Sequence, residues 1–157
     1  MNLLSGCDRF SCFTRLANLT LVFCLIVSFW ACTDDNDISP IPDVYVNIVI
    51  NPASIEYGNL NIPGNYALIK GGYRGIIVYH VIDNQYMAYE RTCTYDWEKP
   101  CSKLIIDASG LIARDTCCKS SFLLIDGSPM EGSLATIPLK QYKTMYDPNF
   151  GRLYITN

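Results

Sequence analysis

Asp115-Thr116-Cys117-Cys118-Lys119-Ser120-Ser121-Phe122, then Asp126-Gly127-Ser128-Pro129, then Glu131-Gly132-Ser133-Leu134-Ala135-Thr136-Ile137-Pro138-Leu139-Lys140-Gln141-Tyr142: the fold reading turns on this stretch. Two adjacent cysteines sit in a polar loop, and a short apolar run, Phe122-Leu123-Leu124-Ile125, follows them. A Gly-Ser-Pro turn breaks that run, and residues 139–143 begin another.

The same rhythm extends outward. Upstream, residues 44–50 alternate and are β-branched, which predicts a strand ended by Asn51-Pro52. Residues 66–69, 75–82 and 85–91 form further runs. Asp83-Asn84 is a turn between the last two, so 76–90 reads as a hairpin. Residues 103–107, 111–114, 122–125, 139–143 and 152–155 complete the set, separated by Ala108-Ser109-Gly110, the 126–129 turn and Asp147-Pro148-Asn149. No window sustains a helical period beyond about two turns. Regular short strands with turns between them predict an all-β class, a small antiparallel sandwich or barrel.

With 157 residues the chain suits one domain, and two Trp, six Phe and eleven Tyr supply a core. The net charge of −3 comes without a basic stripe, which argues against a nucleic-acid partner.

The N-terminus reads as an export signal. Arg9 and Arg15 precede an apolar run from Leu16 to Ala31, too short for a comfortable membrane span of about 20 residues. The run ends at Ala31-Cys32, with Thr33-Asp34-Asp35-Asn36-Asp37 behind it. A small residue before a terminating cysteine resembles a lipobox. The resemblance implies a signal peptide over 1–31, acylation of Cys32, and an outer-membrane or cell-surface location through the lipid anchor. The acidic run resembles the export tag of Bacteroidetes lipoproteins. An uncleaved anchor is the alternative, and either one puts the body where disulfides persist. Residues 32–43, acidic with two prolines, are expected to be a flexible tether, and 44–157 the β domain.

The order of the body resembles the Rieske domain over roughly residues 64–145. That family's pattern is a C-x-H loop, a hairpin, a C-x-x-H-G-S-x-F loop, a D/G-G-x-P turn and a G-P-A-x-x-P-L-x-x-Y closing strand. Carried onto this chain, the four ligand positions of the family's 2Fe-2S cluster fall on Cys93, Tyr95, Asp115 and Cys118. Only Cys93 keeps its ligand type. The cluster needs two thiolates and two imidazoles. His80, in a predicted strand and expected to be outward or half-buried, is the sole histidine of the chain. The cluster is therefore expected to be lost, leaving no metal and no cofactor.

The resemblance also implies that Cys101–Cys117 is the family's structural disulfide. Cys93 and Cys118 then face each other from former ligand positions, and a second disulfide is expected between them. A redox-active dithiol is the competing reading. Zinc fits poorly with the spacing of the cysteines, since structural sites favour C-x₂₋₄-C pairs.

Three functions follow. The first is a non-enzymatic lipoprotein whose Rieske-like domain is structural or binds a partner; Tyr95 and Trp97 would offer an aromatic patch to a protein. The second is an electron-transfer protein with a Rieske-type cluster, and the third a thiol–disulfide redox protein. Nothing in the sequence supports a catalytic triad, a P-loop or a dinucleotide fingerprint.

Overall fold

The structure is a computed structural model and describes residues 39–157. The expected signal peptide, 1–31, the acylation site Cys32 and the tether as far as residue 38 lie outside the described residues. Nine strands follow in order: β1 (Asn47–Ile50), β2 (Tyr66–Ile69), β3 (Ile76–Ile82), β4 (Gln85–Glu90), β5 (Ile105–Ile106), β6 (Ile112–Arg114), β7 (Ser121–Leu123), β8 (Gln141–Asp147) and β9 (Arg152–Thr156). One 3-10 turn, Gly58–Asn61, was not foreseen from the sequence; it buries Leu60. Apart from that turn the described residues are all-β, as expected.

Pairing is antiparallel throughout. Six strands run in the order β1-β9-β8-β4-β3-β2, and three more in the order β5-β6-β7. Strand β8 joins the two ends of the large sheet. Its first residues pair with β4 (Tyr142 with Ala88), and the rest pair with β9, from Lys143–Thr156 to Asp147–Arg152.

The β3–β4 hairpin explains why residues 76–80 are continuously apolar or aromatic instead of alternating with polar groups. It is a wall between two cores. Ile76, Val78, Tyr86 and Ala88 face one core, with Leu153 and Ile155 of β9 and Tyr142 of β8. Ile77, Tyr79 and Tyr89 face the other, with Ala113, Phe122, Leu124, Leu104 and Cys93. A strand buried on both faces loses the period-2 signature, because neither face needs polar side chains. The turn closes on Asp83 at φ 48°, a left-handed conformation that a short Asx side chain tolerates well.

The body starts earlier than the sequence suggests. Ile41, expected in the tether, is 3% exposed. The buried Lys140 ammonium donates to Ile41 O at 3.2 Å and also pairs with the Asp43 carboxylate. Residues 41–43 are thus docked. An apolar side chain and two acceptors for a buried cation outweigh the tether-like composition.

Candidate functional site

The site lies where two loops meet at one end of the second core. The first loop follows β4 and is held as a reverse pair: Cys93 N donates to Ser102 O at 2.9 Å, Leu104 N to Arg91 O at 3.1 Å, and Arg74 Nη1 to Ser102 Oγ at 3.0 Å. The second lies between β6 and β7 and is closed by Asp115 N donating to Ser120 O at 2.8 Å. Cys101 and Cys117 join the loops through a disulfide, with Cα atoms 5.5 Å apart. Thr116 Oγ1 donates to Cys101 O beside it at 3.2 Å. A third segment braces both loops: Ala135 N donates to Ser120 Oγ at 2.9 Å, and Thr94 Oγ1 to Ile137 O at 2.8 Å.

Cys93 Sγ and Cys118 Sγ stand 3.6 Å apart, in contact and unbonded. The second disulfide expected between them is not formed in the structure; a bonded pair would stand at about 2.05 Å. Cys118 Sγ donates to Asp115 Oδ2 at 2.9 Å and lies 3.0 Å from Ser120 Oγ. Asp115, 2% exposed, also accepts Cys117 N at 2.9 Å and Cys118 N at 3.4 Å. Ligand atoms of Cys93, Asp115 and Cys118 all fall within 4.8 Å of one another. Three of the four sequence-derived positions therefore converge. Tyr95 does not follow them inward; it stands 54% exposed at the loop surface.

Burial pushes the Cys93 thiol from 9.0 up to about 12. The backbone N–H groups of Tyr95 and Asp96, which donate to the sulfur, pull it down, and the neighbouring Asp115 carboxylate adds to the rise. A thiol protonated at neutral pH is a poor nucleophile, which weighs against Cys93 as the attacking group in thiol–disulfide exchange. Burial likewise raises the Tyr89 phenol, with Asp126 adding to it. Both groups hold their protons more tightly folded than unfolded. Their stabilising contribution is complete below about pH 9 and is lost as pH rises through the folded values. Urea midpoints measured from pH 8 to 11 are expected to fall steadily above about pH 9; a flat profile would contradict the burial of both groups.

Lys119 sits between Cys118 and Ser120 at φ 63°. A side chain in this left-handed region costs about 1–2 kcal/mol, of which glycine gives back about 0.5–1 kcal/mol as unfolded-chain entropy. Lys119→Gly is expected to stabilise the domain by roughly 0.5–1 kcal/mol, read as a higher urea midpoint.

The donor set does not fit a 2Fe-2S cluster. The cluster takes thiolate and imidazole in pairs, and the only imidazole is committed elsewhere. His80 is buried, a correction to the outward or half-buried placement expected from its strand. It stacks on Tyr86 with centroids 4.4 Å apart, and its Nε2 lies 2.6 Å from Asp83 O. It belongs to the face of β3 that serves the other core, where Tyr86 fills the space above the strand.

No family model and no curated protein matches the sequence. The chain is similar to several solved structures. One, described as a complex of reduced oxygenase and oxidized ferredoxin in carbazole 1,9a-dioxygenase, shares 19% identity with a TM-score of 0.46, covering 73% of this chain and 94% of that one. The ferredoxin of carbazole 1,9a-dioxygenase from Nocardioides aromaticivorans IC177 shares 14% identity with a TM-score of 0.45, covering 73% and 98%. A Sphingomonas yanoikuyae B1 ferredoxin shares 17% identity with a TM-score of 0.41, covering 63% and 93%.

Sequence reading missed a second polar centre beneath the loops. Glu90, fully buried at the end of β4, accepts Tyr73 N at 2.7 Å, Arg74 N at 2.9 Å, Thr92 Oγ1 at 3.0 Å and Tyr142 Oη at 2.7 Å. The available signal was register: position 90 falls on the face of Tyr86 and Ala88, which point into the first core.

Proposed function

We propose that this chain is a surface or periplasmic lipoprotein, anchored through acylated Cys32, whose Rieske-like domain has lost its 2Fe-2S cluster and serves a structural or binding role. The observation that carries the reading is the content of the two loops. Where two thiolates and two imidazoles would grip a pair of irons, the chain offers Cys93, Asp115 and Cys118 in mutual contact and an outward Tyr95. The loops are held by the Cys101–Cys117 bond, so they keep their shape without a cluster. Tyr95 and the Tyr73–Trp97 pair, whose rings meet edge-on at 6.0 Å, give this end of the domain an aromatic surface suited to a protein partner.

The test is iron and acid-labile sulfide analysis of the purified chain, with its visible spectrum and intact mass. A colourless protein without stoichiometric iron, carrying a lipid adduct that Cys32→Ala removes, is the expected result. Brown-red protein with two irons and two sulfides per chain would replace this reading with electron transfer.

A further inference from the structure

We propose that Cys93, Cys118 and Asp115 form a binding site for one thiophilic divalent cation of the zinc class, with the fourth coordination position open on the Cys118 side. The proposal rests on the reading that the cluster is lost, and names what that place binds instead.

The distances suit a single ion. Two sulfurs at about 2.3 Å from one tetrahedral ion stand about 3.8 Å apart. Cys93 Sγ and Cys118 Sγ stand at 3.6 Å. The pair is too far apart for a bond and close to the edge of a single-ion tetrahedron. The Asp115 Oδ2 to Cys118 Sγ separation of 2.9 Å is that of a hydrogen bond carrying the thiol proton. It would open by about 0.7 Å when an ion replaces the proton, given metal–oxygen distances near 2.1 Å.

The spacing fits as well, once the carboxylate is counted with the thiols. Asp115-Thr116-Cys117-Cys118 places a carboxylate and a thiol with two residues between them, inside the x₂₋₄ range by which structural zinc sites chelate from one loop. Cys93 then arrives from the other loop, as the second half of such sites does.

The surroundings suit an ion too. Ligands that must be anionic are already met by donors. Tyr95 N and Asp96 N point at Cys93 Sγ. Cys117 N and Cys118 N point at the Asp115 carboxylate. Such outer contacts orient the ligands. The Cys101–Cys117 bond holds the loops in place beforehand. Cys93 and Asp115 are closed off from solvent while Cys118 is partly open, so an ion has one side from which to enter and a water one position to fill. Binding expels two thiol protons to solvent: one cation enters, two S–H bonds break and two metal–sulfur bonds form, with no change of oxidation state.

The experiment uses the full chain in detergent, stripped with chelator and mildly reduced, and titrated with Co²⁺ alone and then Zn²⁺. One Co²⁺ per chain is expected, with a thiolate-to-cobalt charge-transfer band and tetrahedral ligand-field bands, both bleached by one equivalent of Zn²⁺. Native mass spectrometry should show the gain of one zinc less two protons. Cys93→Ser and Cys118→Ser should each abolish the charge-transfer intensity of one thiolate and weaken binding by about 100-fold or more, and Asp115→Asn by about 10- to 100-fold. Tyr95→Phe should leave binding unchanged. Should the cysteine variants fail to fold, the native titration and mass stand alone. Absence of Co²⁺ binding in protein whose Cys93 and Cys118 are both shown by alkylation mapping to be free thiols overturns the site while leaving the lost cluster intact. Recovery of two irons with two sulfides overturns both.

Discussion

Replacing Glu90 with alanine is expected to destabilise the domain by about 3–5 kcal/mol, a large fraction of the stability of a domain this size. The side chain is fully buried, and its two oxygens accept four hydrogen bonds, two from backbone N–H groups of the 71–75 turn and two from the hydroxyls of Thr92 and Tyr142. A net contribution of about 0.5–1.5 kcal/mol for each of the four bonds, with a desolvation penalty for the donors left unpaired, accounts for that range. The Arg74 side chain offers no rescue, since its guanidinium is turned to Ser102 Oγ and Lys99 O. Gly72 lies so close that an added Cβ would sit 2.3 Å from Glu90 Oε2 and 2.5 Å from Tyr142 Oη, at a φ of 61°. Gly72→Ala is expected to be disruptive for the same reason. Glu90→Gln keeps one acceptor oxygen but turns an N–H₂ toward donors, and should fall at about 2–3 kcal/mol. Urea unfolding of Glu90→Ala, Glu90→Gln, Tyr142→Phe and the double variant would read these values as a cycle. Additive single effects for Glu90→Gln and Tyr142→Phe would mean that the two side chains are not coupled. Exposed Glu131→Ala should change stability by less than about 0.5 kcal/mol.

The strands were legible because their signals are local. Residues 66–69 and the 76–90 hairpin carry turn residues at both ends, and the structure places β2, β3 and β4 almost to the residue. The convergence of Cys93, Asp115 and Cys118 was legible only through the loop pattern, which spaces ligands along the chain and leaves their directions to the fold. Tyr95 shows the difference. It occupies a ligand position in the pattern and is exposed, where its hydroxyl keeps its water; burial would need a partner for that group. The Glu90 centre was hidden for another reason. A glutamate at the end of a strand reads as a surface residue, since its burial depends on donors 16 and 52 residues away. Ile41 and Lys140 were hidden in the same way: a proline-flanked isoleucine and a lysine in a short strand-forming run become buried partners across 99 residues of sequence. Composition is a local average, and these contacts are pairwise and remote.

Removing the Cys101–Cys117 bond is expected to cost the domain about 3 kcal/mol and to loosen the thiol–carboxylate centre at the same time. The bond spans 16 residues, and closing a loop of that length removes about 3 kcal/mol of unfolded-state entropy on the chain-entropy model. Cys101 is exposed and Cys117 only partly covered, so a Cys101→Ser/Cys117→Ser variant leaves no buried cavity and unfolds through loop entropy rather than lost packing. With slopes of about 1–3 kcal/mol per molar urea, the midpoint should fall by roughly 1–3 M. The site is coupled to this bond by geometry. Cys117 adjoins Cys118 in the chain, and both Cys117 N and Cys118 N reach the Asp115 carboxylate. A second loop free to drift would carry Cys118 Sγ away from Cys93 Sγ. In the reduced or serine-substituted protein, hydrogen exchange at residues 93–102 and 115–120 should accelerate while β3 and β4 keep their protection. A midpoint shift well under 1 M with unchanged exchange in both loops would show that the hydrogen bonds from Ala135, Thr94 and Arg74 hold the loops by themselves.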